Sequence, residues 1–154
     1  MKKVIMGLMA AVLCSAASAE TVGEVNTAFK FGGSDKVITE AYDDPMVAGI
    51  SCYVSRPKTG GVSGRLGLAE DKSDASISCV QVGPISFKGP IPAQEDAFSA
   101  RLSILFKTMH VTRMVDRNRN VLVYMTTSSK LIDGSPKTSV TAIVVPRNLP
   151  IPVR

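Results

Sequence analysis

The sequence predicts a mainly β domain: an antiparallel sandwich or small barrel with at most one or two short helices, an α+β arrangement being the alternative. Three observations carry this. Short runs rich in β-branched residues recur along the chain. Turn signals containing Gly, Pro and Asp separate them. No long stretch holds a convincing helical period.

Residues 1–19 stand outside that domain. Met1-Lys2-Lys3 is a basic head, residues 4–13 are an apolar run too short to span a bilayer, and Ala17-Ser18-Ala19 is a small-x-small cleavage site. In this order they predict a signal peptide cleaved between Ala19 and Glu20. Cys14 does not suit a lipoprotein site, because bulky Leu13 precedes it. No later run is long and apolar enough for a transmembrane helix. The mature chain is expected to be exported and to lack a membrane span.

Cleavage leaves residues 20–154, 135 in all, as one domain with a modest core. Loss of Lys2 and Lys3 lowers the formal charge from +5 to +3. So small a net charge does not argue for nucleic acid. Its distribution is uneven. Residues 20–96 hold eleven Asp/Glu against seven Lys/Arg, and residues 97–154 hold two against nine. Unless the halves interleave, that bias suits a basic face for an acidic partner or for anionic headgroups.

The mature chain opens on Thr21-Val22-Gly23-Glu24-Val25 and reaches a turn signal at Gly32-Gly33-Ser34-Asp35. Residues 36–42 are strand-like, and Asp43-Asp44-Pro45 stops them. Asp beside proline is expected to bond its own backbone, although paired carboxylates also suit acid/base work or a metal. In residues 50–55, Ile50, Cys52 and Val54 share one face, with Ser51, Tyr53 and Ser55 on the other. Cys52 therefore points inward. On the return run Ile77 and Cys79 oppose Ser76 and Ser78, but Val80 and Val82 fall with the serines. The expected cause is a bulge near Cys79, or an end buried on both faces; Gly83-Pro84 then ends the run.

Cys52 and Cys79 are the two cysteines of the mature chain. An even count in an oxidising compartment predicts one disulfide between them. A redox pair would more often have C-x-x-C spacing. The intervening loop sets Arg56, Lys58 and Arg65 among glycines, which can wrap an anion with backbone N–H groups or form a flexible surface loop. It lacks the Walker and dinucleotide spacings. Glu70-Asp71-Lys72-Ser73-Asp74 lacks the regular spacing of a calcium loop. No metal or cofactor is expected.

Residues 86–97, with Pro90 and Pro92, read as a loop. Residues 98–106 fit helix and strand, with strand preferred. Residues 108–115 and 121–127 flank a polar five-residue turn, Asp116-Arg117-Asn118-Arg119-Asn120, and predict a hairpin. Pairing Val115 with Val121 sets Arg113 opposite Val123 on a mostly apolar face, and His110 opposite Thr126 on a polar one. A single histidine argues against Cys-His, Ser-His and multi-histidine zinc chemistry. After a turn at Asp133-Gly134-Ser135-Pro136-Lys137, residues 138–145 form the last strand. Leu149-Pro150-Ile151-Pro152-Val153-Arg154 is an extended tail, expected to fray or to dock on the domain or a partner.

The block Cys52-Tyr53-Val54-Ser55-Arg56, Lys58-Thr59-Gly60-Gly61, Gly67-Leu68-Ala69-Glu70-Asp71 and Ile77-Ser78-Cys79 resembles the CreA family of exported bacterial proteins. Asp43-Asp44-Pro45, Arg119-Asn120 and Gly134-Ser135-Pro136-Lys137 extend the resemblance over nearly the whole mature chain. Residues 90–97 match poorly, and Met114-Val115 replace a more aromatic pair. The resemblance implies a periplasmic location and carries over no catalytic residue.

Three functions are in view. The first is a non-catalytic periplasmic accessory or binding protein, with Tyr53, Arg56 and Lys58 as its contact surface and an envelope protein or an anionic small molecule as partner. The second is a carboxylate-based hydrolase of envelope glycans, using two of Asp43, Asp44, Glu70, Asp71 and Asp74. The third is a redox or chaperone role through Cys52 and Cys79.

Overall fold

The computed structural model describes residues 19–30, 33–60, 75–101, 108–128 and 138–154. The signal segment, the glycine-rich loop with Arg65, Glu70, Asp71 and Asp74, residues 102–107 and the turn at 133–137 lie outside the described residues. Within them every regular element is a strand: β1 (Glu20–Lys30), β2 (Gly33–Asp43), β3 (Val47–Lys58), β4 (Ser76–Phe87), β5 (Gln94–Arg101), β6 (Thr108–Asp116), β7 (Val121–Ser128) and β8 (Thr138–Val144). The order β1-β2-β3-β4 makes one antiparallel sheet and β5-β6-β7-β8 a second. The sheets curl towards each other as a half-barrel or sandwich, as the mainly β expectation required.

Alternation builds the core. In β3, Ile50, Cys52 and Val54 are buried, and across from them Ile77 and Cys79 of β4. The second sheet answers with Met109 and Val111 of β6, and Leu122 and Tyr124 of β7. Each such apolar side chain contributes about 1.5–3 kcal/mol when buried. Tyr42 of β2 stacks on Phe98 of β5, ring centroids 4.6 Å apart. β1 is the open edge of its sheet. Its bulges at Thr21/Gly23 and Asn26/Ala28 break the regular edge ladder that invites further strands.

Along the other margin β4 meets β8. The Ile77 and Cys79 backbone N–H groups donate to the Ser139 and Thr141 hydroxyls, at 3.3 and 3.4 Å. Hydroxyls replace a backbone ladder there, so β8 turns Ser139, Thr141 and Ile143 inward. Its other face, Val140, Ala142 and Val144, is exposed.

Four local expectations are corrected. Gly33, Ser34 and Asp35 belong to β2 and pair with β1. β4 does not end at Gly83-Pro84: Val80 and Val82 stay outward and exposed, and the bulge lies at residues 82–85, opposite Gly49. Gly49 has φ +81°, and a Cβ there would strike the Gly83 and Pro84 carbonyl oxygens. Within residues 86–97, the segment from Gln94 is already strand β5. The β6–β7 turn has four residues, not five. Asp116 pairs with Val121, which moves Arg113 opposite Tyr124 and His110 opposite Thr127. Asn120, at φ 56°, accommodates the tighter reversal, and Asp116 accepts the Arg119 backbone N–H at 3.2 Å.

The tail is docked. The Asn120 amide donates to the carbonyls of Val145, Pro146 and Leu149 at 3.0–3.1 Å, and its oxygen accepts Ile151 N–H at 3.1 Å. Ile91 then exchanges hydrogen bonds with Pro152 and Arg154, at 2.8 and 3.0 Å.

Candidate functional site

Asp44 gathers four segments. It sits in the β2–β3 connection, where Oδ1 accepts the N–H groups of Met46 and Val47 at 2.8 and 2.9 Å. That is the local turn role expected of Asp before proline. The same carboxylate also reaches the second sheet. Arg113 Nη1 of β6 lies 2.6 Å from both of its oxygens, and the Tyr124 hydroxyl of β7 donates to Oδ2 at 2.7 Å. Arg113 Nη2 holds Glu95 of β5.

Arg113 and Tyr124 have no exposed surface, and Asp44 has 4%. Burial pushes the Tyr124 hydroxyl far above its ordinary pKa, and the Asp44 charge adds to the shift. Two carboxylates against one guanidinium leave a formal charge of −1. Arg113 Nε alone among the described buried side-chain nitrogens and oxygens has no partner. Chemically, the cluster is an ion triad that ties the sheets together. Asp44 is buried and saturated by donors, whereas Glu95, its side chain 29% exposed, holds Arg113 through Oε1.

A second pair lies towards the other end of the same sheet. Arg56 points inward and grips Glu40 with Nε at 3.0 Å and Nη2 at 3.3 Å. Tyr42 donates to the same carboxylate at 3.2 Å. The Tyr42 hydroxyl is pushed up to about 12, first by burial and then by the Glu40 charge. Tyr53 lies on the opposite face of β3, opposite Ala41 and Ser78, and Lys58 is exposed at the strand's end. The three proposed contact residues are thus not gathered on one surface patch.

Of the five candidate carboxylates, Asp43 is exposed and accepts the Ser51 hydroxyl, while its neighbour Asp44 is turned into the core. Glu70, Asp71 and Asp74 lie outside the described residues. Among the described residues no group of three or more His, Cys, Asp or Glu is placed to hold a metal. Cys52 and Cys79 face each other across β3 and β4 and are disulfide-bonded, with Cα atoms 3.9 Å apart. His110 is half-buried on the outer face. Its Nδ1 lies 2.9 Å from Asp96 Oδ2, and Thr112 donates to Oδ1 at 2.8 Å.

Glu95, Arg113 and Tyr124 were not legible as a cluster from the chain alone. One signal was present: Arg113 interrupts the inward stripe of Met109 and Val111, so its charge needs a buried carboxylate. A second surface was also missed. Val121, Val123 and Met125 pair with Val144, Ala142 and Val140, and Met114 pairs with Val123. This apolar ladder lies on the outer face, where Val140 is 64% and Val144 69% exposed.

Among the described residues no helix is long and apolar enough to cross a membrane. The family model described as CreA protein matches residues 22–148. Relatives named Protein CreA from Escherichia coli K12 and Escherichia coli O157:H7 are each 48% identical over 149 residues, covering 94% of this chain and 95% of theirs. No solved structure matches the chain. With a match that runs from within β1 to beyond β8 and takes in the Asp44 turn and the Cys52–Cys79 pair, the chain belongs to the CreA family.

Proposed function

We propose that this is an exported periplasmic accessory protein that works by binding and is not a catalyst. One observation carries the reading: in the described strands, the carboxylates that chemistry would need are held by structural partners. Asp44 and Glu95 hold Arg113, Glu40 holds Arg56, Asp43 holds Ser51, and Asp96 holds His110. The export signal read at residues 1–19 supports the location.

The test is native mass spectrometry of the protein recovered by osmotic shock from cells that make it. The expected species begins at Glu20, is two hydrogens light, and retains a ligand or a protein partner. A chain that keeps residues 1–19, or stays in the cytoplasmic fraction, overturns the location. Turnover of purified peptidoglycan or capsular glycan, abolished by Asp43→Asn, would overturn the non-catalytic reading in favour of the carboxylate hydrolase.

A further inference from the structure

We infer that the outer face of the second sheet, continued onto β4, docks a partner protein whose contact surface is apolar at its centre and acidic at one rim. This rests on the binding reading above and names where and with what chemistry binding takes place.

The face is apolar through a structural choice. The hydroxyl side of β8 is turned inward to serve the open N–H groups of β4, which leaves Val140, Ala142 and Val144 outside. Those two bonds also set β4 beside β8 with a constant offset of 62 residues. Continued by one residue, that offset sets Val80 level with Ala142, and Val82, at the start of the β4 bulge, is 58% exposed. The ladder of Met114, Val123 and Met125 continues the surface on the other side. Scattered single apolar residues need no explanation, but a continuous uncharged patch across four strands marks an interaction site.

One edge of the patch is basic. Val121 and Val144 stand at the strand ends beside the β6–β7 turn and the turn after β8, which expose Arg117, Arg119 and Arg147. Asp116 pairs with Arg119; among the described residues Arg117 and Arg147 have no carboxylate partner. An uncharged centre with methionines and an arginine rim matches protein interfaces. With Asp116 paired to Arg119, Arg117 and Arg147 leave this rim net positive, which selects an acidic partner.

A second copy of this chain fits poorly. The described carboxylates of this face, Asp96 and Asp116, are already held, the first by His110 and Thr112 and the second by Arg119. A bilayer fits poorly too, because the ladder offers no Trp, Tyr or Phe for the headgroup boundary.

The experiment places the photo-crosslinker benzoylphenylalanine at position 140 or 144, and at exposed Thr21 on β1 as control, in cells that naturally make the protein. Expected is one partner chain joined at 140 and 144 and not at 21. That partner, identified and purified, should bind at least tenfold more weakly to Val140→Asp/Val144→Asp and to Arg117→Glu/Arg147→Glu. Both variants change exposed side chains and should keep the wild-type circular dichroism. Four results overturn the proposal: no product at 140 and 144, a product of twice the chain's own mass, a lipid adduct, or binding unchanged by the charge reversal. If the Val140→Asp/Val144→Asp variant still retains a ligand or partner in native mass spectrometry, this face is excluded and the binding function stands. If the wild type retains nothing, the binding function falls as well.

Discussion

Arg113 holds both carboxylate oxygens of Asp44 through one nitrogen, 2.6 Å from each, across the space between the two sheets and 69 positions apart in the chain. Removing one member of a buried pair leaves the other charged and dry, at a cost of about 3–5 kcal/mol. The two members are not equivalent. Without Arg113, Asp44 keeps Tyr124 and two backbone N–H donors. Without Asp44, Arg113 keeps Glu95 and the turn loses its anchor.

Asp44→Ala is therefore expected to cost about 3–5 kcal/mol, and Arg113→Met less. Urea unfolding of both variants, followed by circular dichroism, measures this. Equal losses would mean that the local bonds of Asp44 do not sustain it alone.

Alkaline pH should unfold the domain through its buried tyrosines. The folded-state pKa of Tyr42 is about 12, and that of Tyr124 is also raised, against an ordinary value near 10. The folded state thus holds these protons more tightly than the unfolded one. The stability this brings is complete below pH ~10 and is lost as pH rises through pH ~12. Tyr42→Phe keeps the ring against Phe98 and removes one titrating group. Unfolding midpoints at pH 8, 10 and 11.5 should fall less steeply for that variant than for the wild type; identical slopes would exclude Tyr42.

The Cys52–Cys79 bridge closes a loop with a sequence separation of 27 residues. Chain-entropy reasoning gives it ~3.5 kcal/mol. Cys52→Ala/Cys79→Ala should lose about that much in urea. Both cysteines are buried, so folded protein incubated in millimolar reduced glutathione and then freed of it by gel filtration should show no free thiol to Ellman's reagent. Rapid thiol release without unfolding would revive the redox role.

Asn120 combines a left-handed backbone with four side-chain bonds to the tail. Asn120→Gly tolerates the backbone and removes the clasp. Trypsin should then cut after Arg147 far faster than in the wild type, with a stability loss of about 1–3 kcal/mol. Protection equal to the wild type would assign the docking to the Ile91 bonds alone.

What was legible in the chain is what local chemistry decides. Alternation placed Ile50, Cys52 and Val54 on one face, and Asp before Pro45 marked a turn that bonds its own backbone. The cysteine count foretold the bridge, and the polar stretch before Val121 foretold a hairpin. Each depends on residues a few positions apart.

Tertiary structure decided the rest. The hairpin slipped by one residue because Asn120 takes a left-handed conformation, and that slip set Arg113 opposite Tyr124, both facing Asp44. The outward ladder of β8 exists because β4 needs acceptors at Ser139 and Thr141 more than the core needs Val140 and Val144. A buried polar group must find a partner wherever the fold brings one, and partners 62 to 80 positions away leave no local pattern in the chain.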